Sequence, residues 1–161
     1  INDAEVVEIA RLGMRHGCEA RFLELMPIGP AAGMYKERYV PSSQVRARLA
    51  GAFDLRPLPA RAGGTATRFT ARDRHGLSGM VGFISASSTP FCRGCRRLRL
   101  TSSGRLIGCL ALGLGPDVAQ ILRSQDAAGD HLLVEAAGAA LGLKRDRDSF
   151  TTRNLMVRTG G

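Results

Sequence analysis

Residues 92–109 read CRGCRRLRLTSSGRLIGC, and this stretch determines how the rest of the chain is interpreted. It holds three of the four cysteines, as a CxxC pair followed by thirteen residues and then Cys109. The segment Ser102-Ser103-Gly104 separates two strand-like runs, 97–101 and 105–110, which predicts a hairpin. A hairpin returns the third sulfur toward the first two, so we expect the three thiols to converge on one site.

Three converging thiols are typical of a site for a metal ion or an iron–sulfur cluster, because the thiolate is a metal ligand. A structural zinc ion takes four ligands, and neither His75 nor His131 has ligand-like spacing from the cysteines. Three interpretations remain open from the residues alone: an iron–sulfur cluster with one open iron, an incomplete zinc site, or buried thiols without a ligand. The fourth cysteine, Cys18, follows a predicted helix end and is interpreted as an ordinary small buried residue.

A basic strand follows the CxxC pair. Side chains in a strand alternate between its faces, so Arg97 and Arg99 are predicted on one face. Leu98 and Leu100 are predicted on the other face, toward the core. Two guanidinium groups beside a metal site suit the bidentate binding of phosphates. The alternative is a solvated basic strand face.

The composition favours a globular protein with an anionic ligand. The 161 residues include 23 Lys and Arg against 14 Asp and Glu, a net charge of +9, although only Lys36 and Lys144 are lysines, which is consistent with compositional bias. The rest of the excess favours a nucleotide or nucleic acid, but 5% aromatic residues without Trp argue against a stacking platform for single strands. A hydrophobic content of 44% excludes extensive disorder, and no apolar run approaches the ~20 residues that span a bilayer. The first residues lack the basic and apolar regions of a secretory leader, so we expect a cytoplasmic location.

The first forty residues predict one αβ step of a parallel sheet or barrel. A helix is predicted over 3–16, capped by Asn2 and ended by Gly17, and a strand over 20–26. Residues 29–41 are predicted to form a loop. One αβ step does not close a barrel, so we expect that neighbouring strands are missing from this chain.

The architecture is predicted to change near residue 41. A short helix from Ser42 or Ser43 to Ala50 precedes strands joined by turns, which predicts an antiparallel sheet. Two helices follow the hairpin, the first from Pro116 and the second over 126–141. The predicted strands are 53–58, 65–71 and 80–85.

The cysteine stretch resembles the second cluster motif of the GTP 3′,8-cyclases, the radical-SAM molybdenum cofactor biosynthesis proteins A. Matches to this family also occur elsewhere, in family order along the chain. They are Ile1-Asn2-Asp3, the run from Arg21 to Pro27, Gly82-Phe83-Ile84-Ser85, Pro90-Phe91 and the terminal Gly160-Gly161.

The resemblance implies an α/β fold: the last αβ unit of an incomplete (βα)6 TIM-type barrel, then a mixed α+β cluster-binding domain. Residues 1–40 would be the remnant of the radical-SAM partial barrel. Residues 41–161 would be the molybdenum cofactor synthesis C-terminal domain, with the second iron–sulfur site and the double-glycine tail.

The resemblance also implies an activity. In the family, a 5′-deoxyadenosyl radical from S-adenosylmethionine abstracts hydrogen from GTP, and cyclisation gives 3′,8-cyclo-7,8-dihydro-GTP for molybdopterin synthesis. The roles carried over by position are a [4Fe-4S] cluster on Cys92, Cys95 and Cys109, GTP contacts by Arg21, Arg97 and Arg99, S-adenosylmethionine beside Met26, and an active-site tail of Gly160 and Gly161.

The sequence departs from the family in one essential respect, because no CxxxCxxC motif occurs in it. S-adenosylmethionine and the radical-generating [4Fe-4S] cluster would therefore need a missing N-terminal radical-SAM half. We expect the chain alone to bind GTP without turnover, a homodimer as in the family, and no membrane or nucleic-acid partner. The rival interpretations are a stand-alone zinc-binding nucleotide or nucleic-acid-binding module, and a non-functional remnant.

Overall fold

The computed structural model describes residues 2–124 and 129–144 and shows a mixed α/β chain. The described residues form two compact units: residues up to Met26 with Met34–Phe91, and Pro27–Gly33 with the residues from Cys92 onward. The helices are α1 (Val6–Arg15), α2 (Ala31–Arg38), α3 (Ser42–Ala50), α4 (Ala119–Arg123) and α5 (Gly129–Gly142). The strands are β1 (Ala20–Leu23), β2 (Asp54–Pro57), β3 (Thr67–Arg72), β4 (Ser78–Ile84), β5 (Arg99–Leu100) and β6 (Leu106–Ile107).

The first unit is built on a mixed four-stranded sheet in the order β1-β4-β3-β2. The predicted antiparallel pairing is confirmed for β2, β3 and β4, whereas β1 joins β4 in parallel. The predicted αβ step thus shares a sheet with the strands beyond residue 41, and the two compact units do not divide there. The assignment of residues 1–40 to a partial barrel and 41–161 to a C-terminal domain stays a prediction about a larger fold.

Helices α1 and α3 cover one face of this sheet. Alternation along β3 and β4 turns apolar side chains toward the helices, where rings and methyl groups leave water together. The Phe69 and Phe83 rings meet edge to face with centroids 5.6 Å apart, and the Phe22 ring stacks on Phe83 at 5.9 Å. The buried core comprises Val6, Ala10, Met14, Val45, Leu49, Phe53, Phe69, Ala71, Val81 and Phe83.

The second unit contains the predicted hairpin. Strands β5 and β6 pair antiparallel, with Arg99 opposite Ile107, but each strand is only two residues long. Thr101 closes the turn, because its N–H donates to the Arg105 carbonyl at 2.9 Å while its hydroxyl accepts from the Arg105 N–H at 2.9 Å. Gly104 adopts φ +83°, the left-handed region in which glycine is least strained. Helix α5 packs against β6 and α4.

Several local predictions were wrong. Residues 29–41 contain α2 rather than only a loop; Pro30 precedes its first residue, and Ala, Met, Lys, Glu and Arg within it favour helix. The helix predicted from Pro116 begins at Ala119. Asn2 makes no side-chain cap, since a 3₁₀ turn over Asp3–Glu5 precedes α1.

Other expectations were met or corrected at single residues. Gly17 ends the first helix with φ +66°, as predicted. Cys18 is exposed rather than buried, because it follows that helix end, and its sulfur lies 3.5 Å from the His16 carbonyl. None of the helices within the described ranges has the length and apolar character needed to cross a membrane.

Candidate metal centre

The CxxC pair lies on one tight turn. A 3₁₀ turn over Cys92–Gly94 is closed by a hydrogen bond of 3.1 Å from the Cys95 N–H to the Cys92 carbonyl. Cys109 lies two residues beyond β6, and its carbonyl accepts the N–H groups of Leu112 and Gly113 at 3.2 and 3.0 Å. All three cysteines are half-buried residues of the second unit, and none of them forms a disulfide.

The described side chains do not form a site for a single metal ion. No group of three or more His, Cys, Asp or Glu side chains within 2–124 and 129–144 lies close enough together to hold a metal ion. The convergence on one point that we expected from the hairpin is therefore not seen among these residues. In a [4Fe-4S] cluster each thiolate ligates a different iron, so the ligands surround the cluster rather than meet at one atom.

The donor chemistry fits such a cluster. Three half-buried thiols on two neighbouring segments of one unit, none of them in a disulfide, supply the soft sulfur ligands that iron–sulfur clusters take. The thiolate is the ligating form, so a site that favours thiolate favours ligation. Burial raises the pKa of Cys95, but hydrogen bonds from the Arg97 backbone and Lys144 outweigh it, and the pKa is lowered overall. The chemistry of these side chains therefore fits the cluster that the family resemblance implies.

Lys144 is part of this site, and the sequence interpretation missed it. It lies two residues beyond α5, and its Nζ donates to the Cys95 and Arg97 carbonyls, each at 2.8 Å. Its Nζ also lies 3.4 Å from Cys95 Sγ. The available signal was composition, since only two of the 23 basic residues are lysines.

The two arginines after the CxxC pair have different surroundings. Arg97 is exposed and precedes β5, whereas Arg99 is half-buried within it. Leu98 and Leu100 are 37% and 49% exposed, so the prediction that they enter the core was wrong. The physical reason is that β5 is only two residues long, and in the described part of the chain the face that carries these leucines is not covered by a core. A shared direction for the two guanidinium groups remains a prediction.

Arg21 lies in the first unit, on the face of β1 opposite Phe22. Its Nε donates to Glu19 Oε1 at 2.7 Å, and its side chain is 48% exposed. This hydrogen bond engages Nε, and the guanidinium group also carries two terminal nitrogens. Met26 is half-buried beyond the end of β1 and belongs to the same unit. The predicted active-site tail, Gly160 and Gly161, lies outside the described residues.

A second residue missed from the sequence is Glu24, which is buried with 5% of its surface exposed. It accepts the backbone N–H groups of Ser42, Ser87 and Ser88 at 2.7, 2.9 and 2.8 Å. The Ser88 hydroxyl adds a contact of 2.5 Å. A buried carboxylate is stable only when it is hydrogen-bonded, and here it joins the end of β1, the start of α3 and the loop after β4. We interpret Glu24 as a structural residue of the first unit.

Comparison with known proteins defines the class of this chain. Residues 18–150 match the family described as Molybdenum Cofactor Synthesis C, so the chain belongs to that family. It is 38% identical over 168 aligned positions to the GTP 3′,8-cyclase of Pelotomaculum thermopropionicum, covering 99% of this chain and 50% of that protein. The GTP 3′,8-cyclases of Brucella canis and Brucella suis are 36% identical over 149 positions, with 92% of this chain and 42% of theirs covered. The resemblance drawn from the sequence is confirmed, and the chain spans about half the length of the curated relatives it matches.

Proposed function

We propose that this chain is the GTP-binding, C-terminal half of a GTP 3′,8-cyclase. That enzyme converts GTP to (8S)-3′,8-cyclo-7,8-dihydroguanosine 5′-triphosphate for molybdopterin biosynthesis. The observation that carries the proposal is similarity to a protein of that name over 99% of the chain. Three half-buried cysteines outside any disulfide, in a CxxC turn and after the adjoining hairpin, accompany it. The mixed α/β fold and the hairpin between the cysteines support it.

Within this proposal, Cys92, Cys95 and Cys109 hold a [4Fe-4S] cluster. When bound, the cluster supplies an iron open to the guanine of GTP. Arg97 and Arg99 bind the phosphates, because the planar guanidinium fork matches phosphate oxygens in a bidentate way. Arg21 adds a third guanidinium, held from its Nε side by Glu19.

The remaining roles need a second half that carries CxxxCxxC. Residues 1–40 would complete a partial barrel there, with Met26 beside the adenine of S-adenosylmethionine. Gly160 and Gly161 would enter the active site as a tail without side chains. The assembled enzyme would be a homodimer, and this chain alone would bind GTP but leave S-adenosylmethionine intact.

Anaerobic reconstitution with iron and sulfide tests the cluster. The chain should bind about four irons with acid-labile sulfide and show a broad visible absorption. Cys95→Ala should lose both, whereas Cys18→Ala is the matched control, since Cys18 is a free, exposed thiol in the first unit. Stoichiometric zinc without iron would contradict the proposal and favour a zinc-binding nucleotide or nucleic-acid module.

GTP binding to the reconstituted chain tests the arginines. Arg97→Ala and Arg99→Ala should each weaken the binding free energy by roughly 1.5–3 kcal/mol, the range for a hydrogen bond to a charged group. Arg123→Ala, on α4 of the same unit, is the control and should leave affinity unchanged. Unaltered GTP affinity in both test variants would favour the alternative that Arg97 and Arg99 form a solvated basic face.

A third experiment tests the expectation that this chain alone leaves S-adenosylmethionine intact. Reductant, S-adenosylmethionine and GTP together should yield no 5′-deoxyadenosine from this chain.

A further inference from the structure

The Lys144 ammonium is fully engaged at the cysteine turn. An ammonium has three donors, and three acceptors lie around it: the Cys95 carbonyl, the Arg97 carbonyl and Cys95 Sγ. All three contacts join residues 47 or 49 positions apart in the chain. A long side chain that is fixed in this way loses rotamer freedom, whereas a lysine that only contacts solvent keeps it.

Lys144 is in turn fixed by the end of α5. The backbone N–H of Lys144 donates to the Leu141 carbonyl at 3.0 Å. Near the same helix end, the Ala140 carbonyl contacts Gly108 so closely that a Cβ at Gly108 would overlap it. Gly108 immediately precedes Cys109, so the end of α5 contacts both segments that carry the three cysteines.

The contacts also arrange charge around one sulfur. Cys95 Sγ lies near two N–H donors, the Arg97 backbone and the Lys144 ammonium. Hydrogen bonds to ligand sulfurs and nearby charge tune the reduction potentials of iron–sulfur clusters. Groups of this kind, which orient a ligand without touching the metal, commonly affect affinity about 10–100-fold.

We propose that Lys144 is a positioning residue for the metal ligand Cys95. Its hydrogen bonds hold the 92–97 turn in the shape used for ligation, and its positive charge stabilises the reduced form of the bound cluster. The effect of Lys144 on the cluster rests on the proposed function. Its effect on the turn does not, because the turn is held in the metal-free chain as well.

Lys144→Met removes the ammonium and keeps most of the apolar stem. Lys36→Met is the matched control, because Lys36 is the only other lysine and is exposed on α2. In the metal-free chain, Lys144→Met should speed amide hydrogen exchange at Cys95 by about tenfold, from the loss of hydrogen bonds to a charged group. In the reconstituted chain it should speed loss of iron to a chelator by about tenfold or more and shift the reduction potential to more negative values. Lys144→Arg, which keeps the charge, should lie closer to wild type in potential.

The outcomes separate this inference from the proposed function. A wild-type chain that takes up no iron overturns the proposed function, while exchange at Cys95 still decides whether Lys144 holds the turn. Exchange, iron loss and potential in Lys144→Met equal to those of Lys36→Met would overturn the positioning role. A Lys144→Met chain that unfolds is distinguished by exchange in the first unit, which should stay at wild-type rates if the effect is local.

Discussion

Arg68 donates a hydrogen bond from its Nε to Glu19 Oε2 at 2.8 Å, across 49 positions of the chain. The other oxygen of that carboxylate accepts from Arg21, so Glu19 joins arginines on β1 and β3, which flank β4. Gly82 on β4 is paired with both arginines, and a Cβ there would lie 3.0 Å from Glu19 Oε1. The glycine therefore leaves the space in which one carboxylate bridges two guanidinium groups.

The first prediction concerns this bridge. Glu19→Gln should lower the free energy of unfolding by roughly 1.5–3 kcal/mol, because it leaves Arg68, whose side chain is 9% exposed, without its charged partner. Glu8→Gln is the control, since the Glu8 side chain is 67% exposed in its pair with Arg11. This substitution should cost less than about 1 kcal/mol. Urea unfolding followed by circular dichroism measures both variants. Equal losses would mean that burial gives the Glu19 bridge no added stability.

The second prediction concerns Glu24 and pH. Burial raises the pKa of Glu24, but hydrogen bonds from Ser42, Ser88 and Ser87 outweigh it and hold the pKa below its ordinary value. A carboxyl whose pKa is lower in the folded state stabilises the fold above its unfolded pKa and loses that contribution as the pH falls through the folded pKa. Unfolding free energies measured from pH 7 to pH 3 should therefore fall more steeply in wild type than in Glu24→Gln.

The same experiment has an internal check. Glu24→Gln should be less stable than wild type at pH 7, because the amide is neutral and its nitrogen donates where the carboxylate accepts. The difference between the two proteins should narrow toward pH 3. A gap that stays constant with pH would show that the ionised state of Glu24 contributes no stability.

Much of the fold could be predicted from local patterns. Apolar spacing at Val6, Ala10 and Met14 predicts α1. Strand-like stretches separated by turn residues predict β3 and β4. The parallel pairing of β1 with β4 could not be predicted in the same way, since it joins segments some sixty residues apart and depends on which strand edges remain open. Helix α2 was missed because Gly29, Pro30 and Gly33 indicate a loop when each is considered alone.

The same distinction between local patterns and long-range packing applies to the candidate site. The CxxC pair and the turn before Cys109 are local and could be found from spacing. Lys144 and the Gly108–Ala140 approach depend on where α5 packs, which no short-range pattern contains. Leu98 and Leu100 show the converse error, since strict alternation assumes a core on the second face, and the described structure places none there.

The third prediction concerns the close approach of α5 to Gly108. A methyl group at this position would overlap the Ala140 carbonyl, which is backbone and moves only with the helix. Gly108→Ala should therefore lower the free energy of unfolding by about 1–3 kcal/mol, the usual range for overpacking. Because Gly108 precedes Cys109, the reconstituted variant should also retain less iron.

Gly138→Ala in α5 is the matched control for that substitution. No atom lies within 4 Å of a Cβ built at Gly138, so the methyl group meets open space. Alanine also favours helix over glycine by about 0.5–1 kcal/mol, so Gly138→Ala should be neutral or more stable. Urea unfolding and iron content, measured on both variants, give opposite signs if α5 rests against Gly108 as described. Two glycine-to-alanine variants of equal stability and equal iron content would contradict that packing, and with it the route by which Lys144 reaches Cys95.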